Sequence, residues 1–177
     1  IYNPGEISKT INIPIIDNSL YTGNKKFNIV FTETENVTLD NNTIEVTIED
    51  DEELPEVKYT SSVSLPEASG TNEIGFYIDR PSVDDITINY AVLSGSADAS
   101  EYSMPTSGQI IIPAGSTKAP LAISIGNDAI DETNETFTIE YVSIENASFA
   151  GTGTASTQVT IIDDDFAPNL SITNTSS

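Results

Sequence analysis

Carboxylates are the main chemistry this chain offers, and they stand in runs at the ends of strand-like segments. Glu49–Glu53 ("EDDEE") follows "TIEVTI", and Asp163, Asp164 and Asp165 follow "TQVTII". Between the runs lie Glu67 in "LPEASGT", Asp98 and Glu101 in "SGSADASEY", and Asp128, Asp131, Glu132 and Glu135 in "NDAIDETNETF". Adjacent like charges repel, so a folded domain gains nothing from such runs unless a counter-charge compensates them. Two outcomes are open. The acids are either separated, solvated loop residues that keep the protein soluble, or convergent oxygen donors for a hard cation. Ca²⁺ takes roughly six to eight oxygen ligands and tolerates irregular geometry, whereas Mg²⁺ demands near-octahedral geometry and keeps its waters.

Composition narrows the classes. The 177-residue chain has 28 acids against 6 bases, a formal charge of −22, and neither His nor Cys. Nucleic acid is not expected as a partner, because phosphate binding needs clustered Lys and Arg. Attraction to an anionic membrane surface is disfavoured on the same ground. Without thiolate or imidazole there is no zinc site of the usual kind, no Cys nucleophile and no Ser-His-Asp triad, and softer metals lack their ligands. Paired carboxylates could serve a glycosidase, but that chemistry wants an aromatic-lined cleft, and this chain has no Trp and few aromatics. A non-enzymatic protein is expected. No stretch has the apolar length of a membrane helix, so no membrane insertion is expected from this segment, and its opening inside a pattern suggests a piece of something longer.

The elements that must position the acids are short strands. Period-two alternation recurs in "KTINIPII", "KFNIVF", "TIEVTI", "ITINYAV", "QIIIP", "PLAISI", "TFTIEYV" and "TQVTII", separated by Gly, Pro, Asn, Asp and Ser clusters. That pattern predicts an all-β, antiparallel sandwich with one wet face per sheet. Phe76, Tyr90, Phe137 and Tyr141 read as core residues, and Lys118 as a surface charge. Alternate connections of such a sandwich share a pole, so the loop acids can converge.

The pattern also repeats. Displaced by 110 positions, Ile11, Ile13 and Ile15 fall on Leu121, Ile123 and Ile125, and Phe27, Ile29 and Phe31 fall on Phe137, Ile139 and Tyr141. After a three-residue slip, Asp50 and Asp51 fall on Asp163 and Asp164, and "PEVKYTSS" on "PNLSITNT". The expected organisation is the C-terminal half of one unit over 1–51, with three strands, a complete unit over 52–165, and the first strand of a third over 166–177.

The middle unit resembles the Calx-beta domain, the repeat of sodium–calcium exchangers and of bacterial cell-surface arrays. Five segments in order support the likeness: "EASG", "GSADASEY", "GQIIIPAGSTKAPLAISI", "NDAIDETNETFTIEYV" and the exit "VTIIDDD". The resemblance implies tandem immunoglobulin-like sandwiches that bind Ca²⁺ in loops at the end where one domain hands over to the next. Carried onto this sequence, it implies Glu67, Glu101, Asp128, Glu132, Asp163, Asp164 and Asp165 as ligands, with Glu135 a weaker candidate. Glu101 replaces the family's Asp, and Asn127 and Ala129 stand where richly binding members have Asp, so fewer ions or weaker binding are expected than in a regulatory sensor. In the first half-unit Thr22 and Lys25 stand at the positions of Glu132 and Glu135, and its site is expected to be degraded.

The functional expectation is a structural repeat of an extracellular or cell-surface adhesin, stalk or filament, with Ca²⁺ stiffening the junctions. Its partners would be neighbouring repeats, with other cell-surface proteins or glycans as further candidates. The alternatives are a calcium-sensing regulatory domain and an assembly module that uses strand addition.

Overall fold

The computed structural model describes residues 3, 5–32, 35, 36 and 38–173. The chain divides into two compact units, Ile1–Glu52 and Glu53–Ser177. Among the described residues there is no α-helix; a single 3₁₀ turn at Glu67–Ser69 interrupts an otherwise all-β structure.

In the first unit β1 (Lys25–Val30) and β2 (Thr43–Ile48) pair antiparallel, with Lys25 opposite Ile48 and Phe27 opposite Val46. A third strand was expected over 9–16, but that run has no ladder, and Ile11, Ile13, Ile15 and Ile16 are exposed. The second unit supplies the reason. There the equivalent run is β9 (Lys118–Ile125), which is held by β5 (Thr71–Ile78) through pairs such as Leu121 opposite Ile74. Among the described residues of the first unit, no strand is the counterpart of β5. A strand is defined by its neighbour, and alternation alone cannot satisfy its N–H and C=O groups.

The second unit is a sandwich of two five-stranded sheets. One has the order β4 (Ser62–Pro66), β12 (Ser156–Ile162), β10 (Glu135–Glu145), β6 (Ile86–Leu93), β8 (Ser107–Ile112). The other runs β11 (Ser148–Phe149), β3 (Glu56–Tyr59), β5, β9, β7 (Tyr102–Ser103). The opening segment contributes β3 to one sheet and β4 to the other. Most pairs are antiparallel, as expected, but β4 runs parallel to β12 and β11 parallel to β3. Segments 53–55 and 166–173 carry no strand, and residues 174–177, within the expected first strand of a third unit, lie outside the described residues.

Alternation builds the core. On β9, Ala119, Leu121, Ile123 and Ile125 turn inward while Lys118, Pro120 and Ala122 face water. Phe76, Tyr90, Phe137 and Tyr141 are all buried, as the sequence predicted. Phe137 stacks on Tyr102 with centroids 4.0 Å apart, and Tyr141 meets Phe76 edge-on at 5.1 Å. Burying each such ring stabilises the fold by about 2–3 kcal/mol. Tyr141 also hydrogen-bonds to the fully buried Thr157 hydroxyl at 2.6 Å, and Thr157 in turn donates to the Thr60 carbonyl between β3 and β4. That chain of hydroxyls ties the switch between β3 and β4 to β10 and β12, and gives the buried Thr157 hydroxyl its partners.

Candidate metal centre

Three ladders deliver acids to one end of the second unit. Parallel pairing sets Leu65 opposite Ile161 and Pro66 opposite Ile162, so the next residues of the two strands, Glu67 and Asp163, leave the sheet side by side. Antiparallel pairing of Glu135 with Ile161 brings the residues before β10 to the same place, and the Asp163 amide donates to Asn134 Oδ1 at 3.3 Å. In the facing sheet Tyr102 pairs with Ile125, so Glu101 before β7 and Asp128 beyond β9 share that end. The Gly126 amide donates to the Glu101 carbonyl at 2.7 Å. A Cβ on Gly126 would lie 2.6 Å from the Ser100 carbonyl oxygen, so only glycine permits this approach.

The carboxylates converge in two overlapping groups. Ligand oxygens of Glu67, Asp163 and Asp165 lie within 4.8 Å of one another, and so do those of Glu67, Glu101 and Glu132. Glu67 belongs to both and is 4% exposed. The 3₁₀ turn buries it: Ser69 Oγ donates back to the Pro66 carbonyl, and Gly70, at φ 63°, turns the chain into β5. Its Oε2 has no hydrogen-bond partner, and neither have the buried Asp163 Oδ1 and Asp165 Oδ2. Desolvation, and then the charges of Asp163, Glu101, Asp128 and Asp165, push the Glu67 carboxyl up to about 7. Glu132 and Asp165 are also raised, by burial first and neighbouring carboxylates second. Unpartnered buried oxygens facing one another are costly unless a positive charge joins them. The donors are all oxygen, which fits a hard cation such as calcium.

The remaining sequence-predicted residues sit at the margin. Asp128 acts electrostatically on Glu67, Glu132 and Asp165, while its Oδ1 accepts the Ile130 amide at 2.8 Å. Glu135 opens β10 half-buried, raised by burial and by the charges of Glu101 and Asp98. Asp164 is exposed, in neither group, and its charge bears on Asp165. Asp98 is spent on its own turn, accepting from the Ser100 amide and hydroxyl. Sequence reasoning missed Asn134, although the repeat alignment contained the signal.

Comparison with known proteins places the chain. The Calx-beta domain family profile matches residues 1–52 and 58–165. The chain belongs to the Calx-beta domain family. Adhesion G-protein coupled receptor V1 of Danio rerio is 24% identical over 166 residues, which are 88% of this chain and 3% of the receptor. The chain thus spans a small fraction of the curated relative it matches. Among solved structures, the apo-form Calx CBD1 domain superposes with a TM-score of 0.53 at 22% identity, over 64% of this chain and 100% of that one. The calcium binding domain CBD12 of CALX1.1 gives 0.50 at 19%, over 59% and 42%. At these identities the likeness is one of fold.

Within the Calx-beta chain the two units can be compared by register. Phe27 opposite Val46 and Phe137 opposite Val159 are the same pair under the repeat alignment, as are Lys25 opposite Ile48 and Glu135 opposite Ile161. The clasp repeats too: the Asp50 amide donates to Asn24 Oδ1 at 2.9 Å, as Asp163 does to Asn134. The acids differ. Asp50 accepts the Thr22 amide, and its carboxyl is held down at about 2, chiefly by the Glu52 side chain and then by Thr22. Glu52 is raised by the same contact with Asp50. Asp17, Asp51 and Glu52 bring carboxylate oxygens within 4.8 Å, but all three are exposed or half-buried.

Proposed function

We propose that this chain is a non-catalytic structural segment of a large extracellular or cell-surface protein, an adhesin, stalk or filament, whose second unit binds Ca²⁺ at its exit. The observation that carries the reading is Glu67, a carboxylate 4% exposed with an unpartnered oxygen, shared by two groups of converging acids. Asp163, Asp165, Glu101 and Glu132 would hold Ca²⁺ together with Glu67, which belongs to both groups. Bound calcium supplies the positive charge that offsets their mutual repulsion and favours the folded state by mass action. Extracellular modules can use weak sites, with dissociation constants of roughly 10⁻⁴–10⁻³ M. The similarity to an adhesion receptor and to a calcium binding domain supports the surroundings and the ligand.

In this reading residues 1–51 are the C-terminal half of one repeat, 52–165 a whole repeat and 166–177 the first strand of the next. Leu170 and Ile172, at the repeat positions of Val57 and Tyr59, are 86% and 90% exposed, whereas Val57 is fully buried. Neighbouring repeats are therefore the natural partners. The exposed Ile11, Ile13 and Ile15, which lack the strand that holds their counterparts, favour strand addition as a second route to completing the first unit.

Thermal melts of the chain in calcium and in EDTA test the proposal. The second unit should melt higher in calcium, with half-saturation near millimolar by the usual range for extracellular modules. Submicromolar saturation would favour a sensor, and no calcium effect on melting would refute the metal reading.

A further inference from the structure

The second unit holds three of the six basic residues, Lys58, Arg80 and Lys118, and sheet register sets two of them in one row. Lys58 on β3 and Lys118 on β9 are the direct cross-strand neighbours of Tyr77 on β5. All three are exposed, while Val57, Phe76, Ile78 and Ala119 beside them turn into the core. Adjacent strands lie about 4.8 Å apart, so the two lysine backbones flank the tyrosine across roughly 10 Å. Tyr77 is 55% exposed, and its ring is laid back along β5 over Gly75. A Cβ on Gly75 would lie 2.7 Å from the ring Oη and 2.8 Å from Cε2. The ring therefore lies against the backbone at Gly75, whose cross-strand neighbour is Pro120, while more than half of the residue stays exposed.

Among the described residues neither lysine has an ion pair. Arg80 is committed to Asp79 and Glu53, and Asp79 also accepts the Glu56 amide. In a chain of net charge −22, two unpaired ammonium groups on either side of an open aromatic ring form a distinctive local surface. Lysines alone would serve any polyanion. The flat ring face is what selects: a pyranose stacks its C–H face on such a ring, and its neighbours in a uronic-acid polymer hold carboxylates on both sides.

We infer that the Lys58–Tyr77–Lys118 row is a docking platform for an acidic polysaccharide, with one sugar ring on Tyr77 and flanking carboxylates on the two lysines. It lies on the open face of the sheet, and its contacts use no residue of the acidic cluster.

The test uses the 177-residue chain in EDTA, which prevents metal bridging between uronates and the acidic cluster, at about 0.15 M salt, where screening confines charge effects to about 8 Å. Affinity electrophoresis compares polygalacturonate, poly-glutamate and neutral dextran. The expected result is retention by polygalacturonate, weaker retention by poly-glutamate, none by dextran, and loss of binding as salt rises. Tyr77→Ala and the pair Lys58→Gln/Lys118→Gln should each weaken binding roughly tenfold, the scale of one lost stacking or charge contact. Tyr77→Phe should bind like wild type, and unchanged melting temperatures show that the variants remain folded. Equal retention by poly-glutamate would mean an acidic-peptide site and overturn the proposal. So would no retention by polygalacturonate, or Tyr77→Ala binding as tightly as wild type.

Discussion

Replacing Glu67 by Gln should change stability in opposite directions with and without calcium. Without metal, the folded state holds this carboxyl at about 7 rather than 4.5. That difference corresponds to about 3 kcal/mol, at about 1.4 kcal/mol per tenfold change in proton affinity. The sign follows from linkage: a carboxyl raised by folding prefers its proton in the native state, so ionising it penalises that state. The penalty is absent below pH 4.5, grows as pH rises toward 7, and is complete above it. Glu132, Glu135 and Asp165 are raised as well and act in the same direction. In EDTA at pH 8, Glu67→Gln should therefore melt higher than wild type, by as much as roughly 10 °C for a domain of this size. At pH 5 the two should nearly coincide. In calcium the order should reverse, because the amide keeps the shape but loses the charge shared by both acid groups. Circular-dichroism melts at the two pH values, in EDTA and in roughly millimolar calcium, provide the measurement. A wild-type melting temperature flat from pH 5 to pH 8 in EDTA, with calcium raising the variant as much as wild type, would show that Glu67 is not the pivot.

Three further outcomes are expected. Asp163→Ala should abolish most of the calcium-dependent rise in melting temperature, whereas Asp164→Ala, exposed and outside both groups, should retain it; calorimetric titration of the two variants checks this. Gly126→Ala drives a Cβ toward the Ser100 carbonyl and should cost about 1–3 kcal/mol, the usual range for overpacking, in denaturant unfolding. Asn134→Ala removes the clasp on the Asp163 amide and should cost about 1 kcal/mol. Hydrogen exchange should quicken at Asp163, and Asn24→Ala should do the same at Asp50.

Much of the fold was legible because burial on one face imposes a local, periodic signal. The run "PLAISI" alternates because Leu121, Ile123 and Ile125 fill the core, and "TFTIEYV" does so around Phe137, Ile139 and Tyr141. At 9–16 the same alternation is present, but the described residues hold no strand that pairs with it. The acidic cluster was legible in outline through the repeat and the acid runs. Its centre was not. Sequence alone ranks Asp163, Asp164 and Asp165 equally, yet their oxygens differ: Asp163 and Asp165 have buried, unpartnered oxygens, while Asp164 is exposed.

The amino-acid sequence by itself determined the class of fold, the repeat, and a donor chemistry restricted to oxygen, because composition and period are properties of the chain. The tertiary structure decided which acids meet. Glu67 and Asp163 are almost a hundred residues apart in sequence and become neighbours only because β4 runs parallel to β12 with Pro66 opposite Ile162. That register, with the turn that buries Glu67, converts a scatter of acids into one cluster of mutually repelling carboxylates. Long-range pairing leaves no local mark in the sequence, since each strand shows only which face it buries and not which neighbour it will find.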